Sequence, residues 1–387
     1  MIAPKLRFSE FKDEWIELSL KEYYSKIRNG FVGVATPFYV ENGIKYLQGK
    51  NIKDGKIDPK GLIYISEDFH HKKNNSQLKQ NDILMVQSGH VGECAVVTQD
   101  YENANCHALI ILSPDHNEKV NSHFVVYYFY SHYGKKRISE IKTGNTIEHV
   151  LASEIKEVTL NFPTPKEQTK IAEFLSAVDD KISQLSRQLE LLNQYKKGVM
   201  QKIFSQEIRF KNDNGEDFGE WEEDSLGNLC SITTGKLDAN AMVENGKYRF
   251  YTCAREYYYI NDFAFDTDAL LISGNGANVG YIHHYNGKFN AYQRTYVLDN
   301  WKQNIIYIKY FLEMFLKKRI NDGKNEGNTP YIVLSVLSEM PIKLPSIQEQ
   351  EKIAEFLTAI DERINHTTAQ LTHTKQWKKG LLQQMFV

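Results

Sequence analysis

The sequence predicts an α+β protein written twice. Two mixed α/β domains are each followed by a long helix, and the two helices pair as an antiparallel coiled coil about a pseudo-twofold axis. Three observations carry this. Residues 167–182, EQTKIAEFLSAVDDKI, return at 349–364 as EQEKIAEFLTAIDERI. Each copy opens a long run with apolar residues spaced three and four apart. Each is preceded by short apolar runs (ILMVQ, CAVVT, ALIIL, ALLIS, TYVLD) punctuated by Gly, Asn and Asp.

The repeat covers the chain. The halves open alike, with LRFSEFKDEW and IRFKNDNGEDFGEW. DILMVQSGHVGECAVV (82–97) then resembles DALLISGNGANVGYIHHY (268–285). A helix is expected around 121–140 and again around 303–321, where YYFYSHYGKKRI (127–138) matches KYFLEMFLKKRI (309–320) at the same offset as the long helices. Each half reaches a GNT loop, KTGNTIEHVL or KNEGNTPYIVL, and then an extended run ending in proline, VTLNFPTP or MPIKLPSI. Pro163, Pro165 and Pro345 stop that run and mark the start of the long helices. Residues 164–205 align without a gap to 346–387, with nearly half the positions identical. The period is far longer than any solenoid repeat. The expected division is a mixed domain over 1–162, a helix over 163–205, a second mixed domain over 206–344 and a second helix over 345–387.

The first stripe is Ile171, Phe174, Leu175, Val178, Ile182, Leu185, Leu189, Leu192, Val199 and Ile203; the second is Ile353, Phe356, Leu357, Ile360, Ile364, Leu371, Trp377, Leu381 and Met385. A helix of about 38 residues runs roughly 57 Å. With polar outer faces it needs a partner: its own domain, or the other copy. Two like units in tandem favour the other copy, so the pair is expected to act as a spacer of fixed length.

The chain has 387 residues, 41% hydrophobic and 25% charged, the balance of a soluble protein of about two domains. The N-terminus lacks the apolar core of a signal peptide, and no apolar run is long enough to span a membrane. Cys94, Cys106, Cys230 and Cys253 are scattered without a CxxC pair, which fits a reducing cytoplasm and neither zinc nor disulfides. A net charge of −2 implies that any grip on nucleic acid is shared with a partner or made by local patches.

Catalytic signatures fail. GNGANVG (274–280) lies between two strand-like runs with the wrong spacing for a dinucleotide loop, and TTGKL (233–237) lacks the ends of a phosphate loop. The adjacent pairs His70-His71 and His283-His284 have no metal-ligand spacing. No GxSxG and no Asn-Pro-Pro-aromatic tetrad occurs. The chain is expected to position something rather than react with it, and to hold no cofactor or metal of its own.

EQxKIAEFLxA[VI]D after a proline-ended strand, twice, each time behind a GNT loop, resembles the specificity (S) subunit of type I restriction–modification enzymes over essentially the full length. The resemblance implies that each mixed domain is a target recognition domain reading one part of a split, asymmetric DNA sequence. It implies that the helices fix the gap between the parts. It also implies two methyltransferase (M) subunits carrying S-adenosylmethionine, and restriction (R) subunits that join the assembly.

Base and phosphate contacts call for Arg, Lys, Asn, Gln, Ser or Thr on protruding loops. The repeated candidates are Lys135, Lys136, Arg137, Lys142, Asn145 and Thr146, matching Lys317, Lys318, Arg319, Lys324, Asn328 and Thr329. The cations read either as phosphate contacts or as complements to a helix C-terminus. The glycine hairpins offer Gln87, Ser88 and His90 in one half and Asn275 and Asn278 in the other, as amide readers or as plain turns. Residues unlike between the halves are Lys50, Asn51, Lys53 and Lys56, and Arg255 and Tyr257. For partner docking, Glu167, Gln168, Glu349 and Gln350, with Lys196, Lys197, Lys378 and Lys379, form a surface present twice; capping or helix packing is the plainer reading of the same residues. A protein–protein scaffold without DNA is the competing function, and apolar rather than basic loops would mark it.

Overall fold

The computed structural model describes residues 2–115, 119–144, 148–322 and 331–387. It divides into two compact units, residues 1–186 with 369–387, and residues 187–368. Each long helix therefore contributes to both. The helices span Pro165–Phe204 and Ile347–Gln384. Pro165 takes the first helical position, where its missing N–H costs nothing. Thr164 and Ser346 accept from the backbone N–H of Glu167 and Glu349.

In the first unit a four-stranded antiparallel sheet runs in the order Lys26–Asn29, Leu109–Ser113, Ile83–Val86, Cys94–Val96. Its strands alternate into two cores. Ile83 and Met85 face a cluster holding Phe124, Val125 and Leu175, while Leu84 and Val86 face another holding Leu47, Ile52 and Val97. A second four-stranded sheet, order Asn105–Cys106, Ile44–Leu47, Ile63–Ile65, Tyr39–Val40, closes a smaller core on Phe69. In the second unit there is one six-stranded sheet, order Ser231–Thr234, Thr295–Asp299, Phe265–Ser273, Ile282–Ala291, Tyr248–Tyr251, Tyr258–Ile260. Leu270, Ile272 and Leu298 face the helix Ile305–Asp322; Ala269, Leu271 and Val297 face the other way.

Beneath these unlike sheets the frames share their main contacts. A ribbon pairs Ile16–Ser19 with Thr159–Phe162 in one unit and Glu222–Ser225 with Pro341–Leu344 in the other. Arg7 binds Glu167 through two nitrogens at 2.7 and 2.8 Å, and Trp15 Nε1 donates to the same carboxylate at 3.3 Å. Arg209 and Trp221 do the same to Glu349, at 2.9, 2.7 and 3.2 Å. Phe8 meets Phe174 edge-on, as Phe210 meets Phe356. Gln168 donates to Pro163 O and accepts from Asn121 N; Gln350 donates to Pro345 O and accepts from Asn304 N.

The helix pairing is antiparallel within each unit. In the first, Asp179 takes Lys378 Nζ at 2.6 Å and the Tyr127 hydroxyl at 2.9 Å. In the second, Asp361 takes Lys196 Nζ at 2.7 Å and the Tyr310 hydroxyl at 2.8 Å. The C-terminal end of each helix leads into the core of the other half, with Phe386, just past the second helix, against Trp15 and Phe124, and Phe204 against Tyr307 and Phe311.

One expected correspondence shifts. Tyr127 matches Tyr310 and Asn121 matches Asn304, one residue away from the ungapped alignment, whereas Ile138 and Ile320 both lie under the glycine hairpins as aligned. The first unit holds one residue more and absorbs it by breaking the helix into Ser122–Tyr130 and His132–Ile141. Ser131 caps the second piece by accepting from Gly134 N. A Cβ on Gly134 would lie 2.1 Å from Tyr128 O, so only glycine permits the break. Among the described residues, no helix is long and apolar enough to cross a membrane.

The buried lock generates a stability prediction. Glu167→Gln leaves the Arg7 guanidinium uncompensated beside a side chain only 1% exposed, and is expected to cost about 3 kcal/mol. Glu190→Gln, in the open Arg187–Glu190 pair, is expected to leave the urea midpoint unmoved. Urea denaturation followed by tryptophan fluorescence checks both.

Candidate nucleic-acid interface

In the first unit the glycine hairpin and the segment after the GNT loop form one surface. Val150 N donates to Gln87 O at 3.0 Å, Gly89 N donates to Glu148 O at 3.2 Å, and Ser88 bridges to His149. Ser88 and His90 are exposed and Gln87 is half-buried. Gly89, at φ +82, would meet nothing if it carried a Cβ, so the hairpin tip is open. Glu93 ties this hairpin to the 52–57 turn by accepting from Asp54 N and from the Tyr130 hydroxyl, both at 2.8 Å. That brings exposed Lys53 to the same region; Lys50 is exposed on the preceding turn.

The cations divide. Lys135 and Lys136 are exposed, Lys136 only loosely paired with Glu140 at 4.0 Å. Arg137 is held by Glu17 at 2.8 Å and Lys142 by Glu148 at 2.8 Å. Lys56 reaches Ser183 on the first long helix at 3.0 Å. Asn51 is not a reader: it is fully buried, accepting from Gln48 N and donating to Asp58 O and Lys60 O to shape its turn. Asn145 and Thr146, like Lys324, Asn328 and Thr329 of the second half, lie outside the described residues.

In the second unit a cavity of about 800 Å³ gathers Arg255, Asn278 and Lys317 from three separate stretches, with Tyr281, His283 and Lys309. Asn278 donates to Cys253 O at 3.1 Å and so holds the Arg255 segment, whose guanidinium lies 5.8 Å from the Tyr281 ring. His283 bonds Ala254 O at 3.0 Å, and burial pushes its imidazole below the ordinary value, favouring the neutral ring. His284 pairs with Asp268 instead. Asn275 bridges to Tyr331, and Ile332 N donates to Gly274 O at 2.7 Å, so this hairpin too is anchored to the segment beyond its GNT loop.

Two sets of residues serve inside the fold. Arg319 donates to Val336 O at 2.8 Å and Glu339 O at 3.0 Å, tying its helix to the short helix Leu334–Ser338. Its charge is spent on carbonyls rather than left for phosphate, while neighbouring Lys317 and Lys318 are exposed. Glu167, Gln168, Glu349 and Gln350 form no surface, being at most 1% exposed and fully bonded within their own units. Lys196 and Lys378 are committed to Asp361 and Asp179. Of the eight docking candidates, Lys197 and Lys379 stand exposed, each beside a glycine (Gly198, Gly380) with open space around it.

Sequence reasoning passed over Arg249. The alternation in Tyr248–Tyr251 was its one signal, since it puts Arg249 and Tyr251 on the same face of a strand.

The comparisons with known proteins agree with this frame. The family model described as type I restriction modification DNA specificity domain matches residues 12–194 and 219–373. The Escherichia coli type I restriction enzyme EcoDI specificity subunit is 40% identical over 165 residues, 42% of this chain and 36% of that protein. The chain thus aligns with about a third of that relative's length. A putative type I restriction enzyme MjaX specificity subunit of Methanocaldococcus jannaschii is 25% identical over 98% of this chain and 94% of its own. The crystal structure of a type I restriction-modification system S subunit from M. genitalium, 18% identical, superposes with a TM-score of 0.69 over 100% of this chain and 99% of that one. With a repeated frame, unlike sheets and a family match over both halves, the chain belongs to the type I restriction–modification DNA specificity family.

Proposed function

We propose that this chain is the non-catalytic specificity subunit of a type I restriction–modification complex, reading a split, asymmetric DNA target in the cytoplasm. The observation that carries the reading is one frame built twice under two different surfaces. The Arg–Glu–Trp lock and the Asp–Lys–Tyr cluster recur unit for unit, while one unit presents two four-stranded sheets and the other a single six-stranded sheet. Like frames suit a repeated partner. Unlike surfaces suit two different half-sites. The exposed lysines and amide-bearing hairpins have the chemistry that duplex DNA requires.

The partners follow from the same logic. Lys197 and Lys379 offer equivalent basic positions, suited to two copies of one methyltransferase subunit. Those subunits would carry S-adenosylmethionine and supply much of the phosphate neutralisation that a chain of net charge −2 lacks. Restriction subunits would join the assembled complex.

Exchanging residues 1–162 for the matching segment of another family member is expected to change one part of the methylated sequence and leave the other intact. Sequencing-based mapping of modified adenines checks this, and a change in both parts would count against two independent readers. Lys197→Glu is expected to reduce the methyltransferase subunits bound per chain from two toward one. Native mass spectrometry of the co-expressed complex gives that ratio directly.

A further inference from the structure

The second unit holds an arginine prepared for a planar ligand. Arg249 lies on the strand Tyr248–Tyr251, paired in register with Tyr259 on one side and Phe289 on the other. Its guanidinium carbon sits 4.3 Å from the Tyr257 ring centroid and 4.4 Å from that of Tyr285. Nη1 donates to the Tyr251 hydroxyl at 3.3 Å. Two rings and one hydrogen bond therefore restrain the guanidinium. Among the described residues no carboxylate pairs with it, whereas Arg7, Arg28, Arg137, Arg187 and Arg209 each have one.

The clamp is open to solvent. Tyr257 is 37% exposed and Tyr259 44%, and Arg249 itself is only half-buried. The clamp is also continuous with the cavity that gathers Arg255 and Asn278. Tyr251 contacts His283 at 5.0 Å, His283 contacts Tyr281 at 4.8 Å, and Arg255 lies over Tyr281. An arginine serving only the fold would spend its donors on carboxylates or carbonyls, as Arg209 and Arg319 do. Arg249 gives one to the Tyr251 hydroxyl and keeps the rest beside two rings.

We propose that Arg249 is a specificity-determining residue of the second unit, its fork held between Tyr257 and Tyr285 to take the O6 and N7 edge of a guanine in duplex DNA. The inference rests on the DNA-specificity reading above. A phosphate accepts a fork or a point charge from many directions, whereas the guanine O6 and N7 edge needs the fork held in one orientation, which the two rings and the Tyr251 bond favour. Tyr257 and Tyr285 are positioning residues in this account. They act through the guanidinium and pay its ordering cost before the DNA arrives.

The test uses the full chain co-expressed with its methyltransferase subunits, as wild type, Arg249→Lys and Arg249→Gln. Lysine keeps the charge over the rings and removes the fork. The methylated sequence is mapped for each complex, and affinity for a duplex carrying the wild-type site is measured against salt. Expected is a loss of roughly 10- to 100-fold in discrimination at one G·C position of one part of the target. The other part, the melting temperature and, for Arg249→Lys, the salt slope are expected to match the wild type. An unchanged target in both variants would overturn the assignment. So would uniform weakening in Arg249→Gln with a shallower salt slope, which marks a phosphate contact. A lowered melting temperature with the target intact would mark Arg249 as a packing residue and overturn it as well. A wild-type complex that assembles but marks no split sequence would instead overturn the DNA-specificity reading itself.

Discussion

Each long helix begins by burying a carboxylate, and the frame of each unit depends on that act. Burying a charge is expensive unless it is paired and fully hydrogen-bonded. Glu167 meets the requirement with a bidentate arginine and an indole N–H, and Glu349 does so with the same residue types. The carboxylate sits in the first helical turn, where the helix dipole also favours it. A buried pair of this kind adds little net stability over apolar packing, but removing one partner is costly. Only one placement of the opening segment delivers both an arginine and a tryptophan to the same acid. The unlike openings LRFSEFKDEW and IRFKNDNGEDFGEW, with different spacings from arginine to tryptophan, reach the same geometry.

A second constraint is that neither half is built from its own stretch of chain alone. Lys378, Leu381 and Phe386 complete the first unit, and Lys196, Met200 and Phe204 complete the second. Each half lends the end of its helix to the other, so a truncation after the first helix removes part of the first unit's core. The largest differences between the halves lie in the sheets, with a smaller one in the helix that is broken at Ser131 in the first unit and continuous in the second. Divergence there changes what the surface offers while the lock, the ribbon and the Asp–Lys–Tyr cluster stay the same.

Much of this is readable from the sequence because it follows from periodicity and repetition. The stripe from Ile171 to Ile203 specifies a helix with a partner, and the echo from 164–205 to 346–387 specifies which partner. Proline and glycine mark the boundaries. What sequence patterns miss depends on geometry between distant residues. Glu167 and Gln168 read as caps or docking groups because charged and amide side chains in a first turn are rarely fully buried; only Arg7 and Trp15 explain the first, and only Asn121 and Lys119 with Pro163 the second. Arg137 and Arg319 align, yet one meets a glutamate and the other two carbonyls. The single extra residue at Ser131 is hidden because a broken helix and an unbroken one share one apolar pattern. The Arg249 clamp requires the register of three strands, which a single sequence does not supply.

The central claim is that one repeated frame carries two different readers. Its most direct test is a genome-wide map of modified adenines in cells expressing this chain with the methyltransferase subunit proposed for it and no other modification system. The account predicts a sequence of two unlike parts separated by a constant gap. A palindromic or uninterrupted sequence, or none at all from a complex that assembles, would contradict it.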